Sequence, residues 1–248
     1  MSFQDLRMVS LRLPHEKALM IMATLKSINI GKPEKLAVSG NRKMFSGIHK
    51  KPVHEKIFLD NLGFRGDGVA DSSHHGGRDK AVCVYCVDHY SFWEKELIRE
   101  MQFGAFGENL SVTEWTEKTV HIGDIFRIGE AQVQCTQPRQ PCHKLNKVFD
   151  FQAMACRVQT TGFSGWYFRV TQPGWVTVGV EIIRVHEDPK RISVDAANNL
   201  MHKNKKDWQG IREILSVEAL SDNWRETFGK RLLKDVPARE DQLRLQGF

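Results

Sequence analysis

Cys135-Thr136-Gln137-Pro138-Arg139-Gln140-Pro141-Cys142-His143-Lys144 places a thiol, Cys142, after two prolines and among three potential cations, just past a predicted strand. Each proline removes a backbone donor and fixes φ, so a stiff loop with one side-chain geometry is expected. Arg139, Lys144 and His143 favour thiolate over thiol, the form that acts as nucleophile or metal ligand. A buried structural cysteine beside a surface loop is the competing reading.

On the upstream side, Val133 and Cys135 alternate with Gln132, Gln134 and Thr136 over a strand expected at 131–136. That parity puts Cys135 on the core face with Val133 and leaves Cys142 beyond the strand end. A partner strand is expected at 120–128, around turns at Gly123-Asp124 and Gly129-Glu130. Downstream, 149–158 reads as helical, 165–170 as a strand, and 175–185 as the last β material, interrupted at Gly179.

Toward the N-terminus, strands are expected at 24–30, 57–62 and 81–87, with a turn-rich piece at 43–53. The long segment 64–80 contains Gly66, Gly68, Gly76 and Gly77. Gly76-Gly77, flanked by His75, Arg78 and Lys80, can turn backbone N–H groups and cations onto an anion, although a solvated hinge accounts for it equally well. His74 and His75 point to opposite faces of an extended chain, so they do not form one metal site. The same parity argues against a metal-binding Cys83-Val84-Tyr85-Cys86 pair. Tyr90, Trp93, Leu97 and Met101 trace a helical stripe with Asp88 as cap, and Phe106-Gly107-Glu108-Asn109 follows as a second candidate site loop.

Beyond Asp188-Pro189 the apolar period lengthens, predicting three short helices marked by Ala196, Ala197, Leu200 and Met201, by Trp208, Ile211 and Leu215, and by Trp224, Phe228 and Leu232. Such short helices need to bundle or to dock on the strand-rich part. No recognition-helix pattern stands out among them, which disfavours a DNA reader. The net charge of +6, from 36 Lys and Arg against 30 Asp and Glu, fits an anionic ligand or a soluble surface. Five cysteines suit free thiols in a reducing compartment, and no apolar run approaches a membrane span, so a cytoplasmic protein is expected.

In order along the chain, these motifs resemble the MOSC domain, and more narrowly the YiiM-like proteins with a C-terminal three-helix domain. The resemblance is carried by Gly63-Phe64-Arg65-Gly66-Asp67, His75-Gly76-Gly77-Arg78-Asp79-Lys80-Ala81-Val82, His89-Tyr90 with Trp93, Phe106-Gly107-Glu108-Asn109-Leu110, Gln137 to Leu145, and Ser164-Gly165-Trp166-Tyr167. It implies an α+β chain, mainly β with added helices: an extension at 1–23, a β-barrel at 24–187, three helices at 188–236 and a tail at 237–248. It also implies molybdenum cofactor, with Cys142 as the thiolate on the metal and His75, Gly76, Gly77, Asp79, Lys80, Asn109, Arg139, Gln140 and Lys144 forming the cofactor pocket.

The activity implied is reduction of N-hydroxylated compounds of the hydroxylaminopurine type, with electrons from an external flavoprotein-type reductase. A homodimer is compatible with the resemblance, and neither nucleic acid nor membrane is an expected partner. A non-catalytic carrier of cofactor, or of sulfur as a Cys142 persulfide, is the alternative. A cysteine hydrolase is disfavoured because His143, as chain neighbour, is badly placed to act as base to Cys142.

Overall fold

A computed structural model describes residues 22–36, 44–70 and 76–233. Its frame is a closed barrel of seven strands, β1 (Met22–Ile30), β7 (Val82–Cys86), β8 (Leu110–Val112), β9 (Ile125–Ile128), β10 (Ala131–Pro138), β11 (Trp166–Gln172) and β13 (Glu181–His186). Around the barrel the order is β13-β9-β10-β11-β7-β8-β1, and β1 closes on β13 with Thr24 opposite Glu181. The other half of β1 pairs with β4 (Lys51–Val53). Short sheets join β2 (Glu34–Leu36) to β3 (Met44–Ser46), and join β5 (Ile57–Asp60) to β6 (Gly63–Phe64) and β12 (Gly174–Val176).

All barrel pairings are antiparallel except β7 with β8. A parallel pair needs a long crossover, and α1 (Tyr90–Leu97) with the following loop supplies it. The expected stripe holds for Tyr90 and Trp93, both buried. The helix then stops at Ile98, whose φ of 51° is left-handed, and Met101 is buried by the returning loop instead. Asp88 is not the cap; its carboxylate accepts from Glu114 N at 2.9 Å.

Two further boundaries differ from expectation. Residues 120–124 form turns rather than strand, because the buried Asp124 carboxylate gathers His121 N (3.0 Å), Asp188 N (2.9 Å) and Arg184 Nη1 (2.9 Å). The helix expected at 149–158 begins late: α2 (Lys144–Val148) ends before that span, Asp150 follows at a φ of 47°, and α3 (Met154–Thr161) covers only its second half. Strand β10 runs on to Pro138, opposite Trp166 and past an irregularity between Cys135 and Gln137. The first proline therefore ends the strand, where its missing N–H is tolerated.

Val133 and Cys135 share the barrel core with Trp115, Phe126, Trp166 and Phe168. The tail forms α4 (Val194–His202), α5 (Trp208–Leu215) and α6 (Asp222–Leu233). Ser193 caps α4 by accepting from Ala196 N, and Asp207 caps α5 by accepting from Gly210 N. Within α5 the buried face is Ile211 and Ile214; Trp208 is 36% exposed. Ala197, Leu200, Ile214, Trp224 and Phe228 belong to the same apolar cluster as the barrel. Because that core is shared, Trp224→Ala should destabilise the whole chain by about 3–5 kcal/mol. Calorimetry is expected to show one lowered transition, and separate melting of the tail would contradict a shared core.

Candidate functional site

One end of the barrel opens into a cavity of about 290 Å³. Its walls are the start of β7, the loop beyond β10, and segments that reach over from residues 46–50, 62–70, 76–81 and 106–109.

Glu108 organises the last of these segments. Its fully buried carboxylate accepts from Gly104 N (3.0 Å), Phe106 N (3.0 Å), Tyr90 Oη (2.6 Å) and Ser111 Oγ (2.9 Å). Burial nevertheless outweighs these donors and raises its pKa. The loop passes so close to Ile48 that a Cβ on Gly107 would meet Ile48 Cγ1 at 2.8 Å, and the φ of 76° there is also left-handed.

Next in the chain, Asn109 acts as a junction. Its Oδ1 accepts from Cys83 N at 3.0 Å, while Nδ2 donates to Asn29 O at 3.2 Å and to Asp67 Oδ2 at 2.7 Å. The carboxamide lines the cavity but is spent on the protein, so it positions Asp67. The other oxygen of Asp67 accepts from Gly31 N at 2.9 Å and from Lys50 Nζ. The Lys50 and Asp67 side chains are only 6% and 11% exposed, and removing either would leave a buried charge unpaired.

Arg139 forms the opposite wall. Its backbone N donates to Gly165 O at 3.0 Å and its Nη2 to Phe106 O at 2.5 Å. Nη1 is buried and has no hydrogen-bond partner among the described residues. Burial works against the charge, but the ionisable Cys83, Tyr167, Cys142 and Glu108 around it favour it, and the balance raises the pKa. Tyr167 lines the same wall, and burial keeps its phenol protonated. Cys142 is half-buried just before α2, and its carbonyl accepts from Leu145 N. Lys144 donates Nζ to Phe45 O at 3.2 Å.

Of the residues singled out from the sequence, Gly76, Gly77, Lys80, Asn109, Arg139, Cys142 and Lys144 meet on this cavity. His75 lies outside the described residues. Gln140 is half-buried but is not part of the lining, and Asp79 turns away from it to pair with Arg169 at 2.7 Å. Lys50, Asp67 and Tyr167 also line the cavity without any local pattern that marks them as site residues, and Cys83, whose metal pairing with Cys86 strand parity argues against, is both buried and part of the lining. Asp67 does lie between Gly66 and Gly68 in an over-long loop, but that placement alone assigns it no role.

The chain matches the MOSC domain over residues 71–183 and the YiiM-like 3-alpha helix domain over residues 192–235. It is 47% identical over 211 residues to the uncharacterized protein YflK of Bacillus subtilis, covering 85% of this chain and 95% of that one. The chain belongs to the YiiM-like MOSC-domain family. The crystal structure of YiiM from Geobacillus stearothermophilus superposes with a TM-score of 0.73 at 35% identity, covering 85% of this chain and 99% of that one. A protein of Gibberella moniliformis named as a reductase is 36% identical over 159 residues, which are 62% of this chain but 28% of the reductase. MOSC domains are associated with molybdenum cofactor, and the YiiM-like chain thus sits among sulfurase- and reductase-like proteins that bind it. Its barrel, however, begins well before the matched span, since β1, at Met22–Ile30, is needed for closure.

Burial pushes the Cys83 thiol up to about 11 against the lowering effect of Arg139, so at pH 8 about one molecule in a thousand carries that thiolate. The folded state holds this proton more tightly than the unfolded chain. Its contribution to stability is therefore complete below the ordinary thiol value of 9.0 and is lost as pH rises through about 11. Alkylation at pH 8 followed by mass mapping should label the exposed Cys156 and the half-buried Cys142, and leave the buried Cys83, Cys86 and Cys135 untouched until unfolding. Labelling of Cys83 as fast as Cys156 would contradict this environment.

Proposed function

We propose that the cavity holds molybdenum cofactor through Cys142 and that the protein is an oxidoreductase acting on N-hydroxylated compounds. The observation that carries this reading is the convergence, in one cavity of about 290 Å³, of a half-buried thiol with a buried guanidinium whose Nη1 lacks a partner among the described residues. An orphaned buried donor of that kind calls for an acceptor, and a phosphate or a pterin edge supplies one.

The remaining lining fits the same group. Among the described residues no atom lies within 4 Å of a would-be Cβ at Gly77, which leaves its backbone N–H open to close approach, and Lys80 and Lys144 add positive charge. Among the described residues no three His, Cys, Asp or Glu side chains are clustered to hold a metal ion. What the protein offers in this cavity is the half-buried sulfur of Cys142, a soft ligand of the kind that suits a metal already carried by a cofactor. When bound, the cofactor supplies the two-electron chemistry that removes oxygen from an N–OH group.

The chain's own residues bind and orient. Arg139 and the Gly76-Gly77 turn hold the anionic end, while the Lys50–Asp67 pair, pinned by Asn109, gives the floor a fixed charge pattern. Electrons reach the site from an external flavoprotein-type reductase.

Protein purified from cells able to make the cofactor should contain molybdenum and reduce a hydroxylaminopurine to the amine when given a reductase. Cys142→Ala is expected to lose at least about 100-fold in that activity, in line with loss of a primary ligand. Full activity in this variant would overturn the assignment of Cys142. Transfer of cofactor to an apo-enzyme without any N-reduction by the wild type would overturn the oxidoreductase reading in favour of a carrier.

A further inference from the structure

The Gly76-Gly77 turn faces the cavity, but what fixes its direction lies outside the cavity. A glycine pair has many accessible backbone conformations, and Gly77 sits at a φ of 94° with no atom of the described residues within 4 Å of a would-be Cβ. Its orientation has to be imposed by its flanks. On the C-terminal side the chain enters a 3-10 turn, Arg78–Lys80, with Asp79 at its centre.

Asp79 is tied on three sides. Its carboxylate accepts from Arg169 Nη2 at 2.7 Å and from the backbone N of Asp222 at 3.0 Å, and its carbonyl accepts from Thr136 Oγ1 at 2.6 Å. Asp222 is the first residue of α6, preceded by Ser221, whose carbonyl accepts from Arg225 N at 2.9 Å. The N–H that Asp79 takes is therefore one of the orphan donors of the helix start, at the positive end of its dipole. It comes from a residue 143 positions away.

Two more bonds brace the joint. Ser221 N donates to Thr136 O at 3.1 Å, and Arg169 Nη2 also donates to Ala219 O at 3.1 Å. One wall of the cavity, strands β10 and β11, and the last helix thus meet at a single residue, β11 and the helix at its carboxylate and β10 at its backbone carbonyl.

We propose that Asp79 is a positioning residue. Through it the helical tail holds the Gly76–Gly77–Arg78–Asp79–Lys80 segment in the orientation that presents Gly77 and Lys80 to a phosphate-bearing ligand. This rests on the reading of the cavity as the cofactor pocket, and it gives the tail a part in binding without contact to the ligand.

Two substitutions cut the joint from opposite sides. Asp79→Asn removes the charge that pairs with Arg169, and Asp222→Pro removes the N–H at a position where proline suits a helix start. Asp222→Asn, which keeps the N–H, is the control. Binding of inorganic phosphate is measured by calorimetry at low ionic strength, and amide hydrogen exchange is followed over residues 76–81 and 222–225. Asp79→Asn and Asp222→Pro should each weaken phosphate about 10-fold, the lower end of what losing a supporting partner costs a site. Both should speed exchange in the 76–81 segment, and Asp222→Asn should do neither.

Phosphate binding as in the wild type, or unchanged exchange at 76–81, in either cut variant overturns the proposal. If one variant does not fold, the other decides. If the wild type binds no phosphate while the cut variants still loosen 76–81, the cofactor-pocket reading fails and takes the positioning role with it, whereas the joint itself stands.

Discussion

The carboxamide of Asn109 is the junction on which the site depends. Its oxygen accepts from β7 at Cys83, and its nitrogen serves both β1 at Asn29 and the carboxylate of Asp67. Its backbone completes the seam, with Asn109 N donating to Cys83 O and Asn29 N to Asn109 O, each at 2.7 Å. Asn29, Cys83 and Asn109 are buried, and a group among them left unpaired would cost about 1–3 kcal/mol. No other residue type satisfies all of them at this spot, because an acceptor and two donors must sit on one short planar group. Closure of the barrel next to β8 and placement of the cavity floor are therefore one structural event.

From that junction the electrostatics follow. The floor carries a buried ion pair, Lys50 with Asp67, and the opposite wall carries Arg139. Enclosed charges of this sort are tolerated only when they are paired and hydrogen-bonded. Lys50 and Asp67 meet that condition within the protein, and Arg139 meets it on one nitrogen, at Phe106 O. Among the described residues nothing accepts from Nη1, and that demand is what points to a ligand. Cys142 stands in the same cavity, outside the barrel core in which Cys135 is sealed. The helical tail, which shares the core with the barrel, braces this arrangement from outside.

Much of this was legible in the sequence wherever the determinant was local. Alternation at Val133 and Cys135 assigned the two thiols of the proline stretch to different environments, and the change of period past Asp188-Pro189 located the three tail helices. Local pattern failed where tertiary contacts decide. The stripe from Tyr90 to Met101 is continuous in spacing, yet the helix ends at Ile98 and Met101 is buried by a different route. The helix expected at 149–158 starts only at Met154, after Asp150 has turned the chain at a φ of 47°. Lys50 and Asp67 meet because β4 pairs with β1 and the 66–68 turn bonds to Gly31, a coincidence of register that neither segment encodes alone. Asp79 is a pocket residue only by the family resemblance; in a 3-10 turn adjacent side chains diverge, and its carboxylate goes to Arg169 and to the start of α6 instead.

The most direct test of the central claim, that Cys142 presents its sulfur to a metal-bearing cofactor in this cavity, is molybdenum X-ray absorption on protein purified from cofactor-competent cells. Wild type and Cys142→Ser should differ by one sulfur scatterer in the metal's first shell. Identical shells, or a wild-type protein that carries no molybdenum under those conditions, would contradict it.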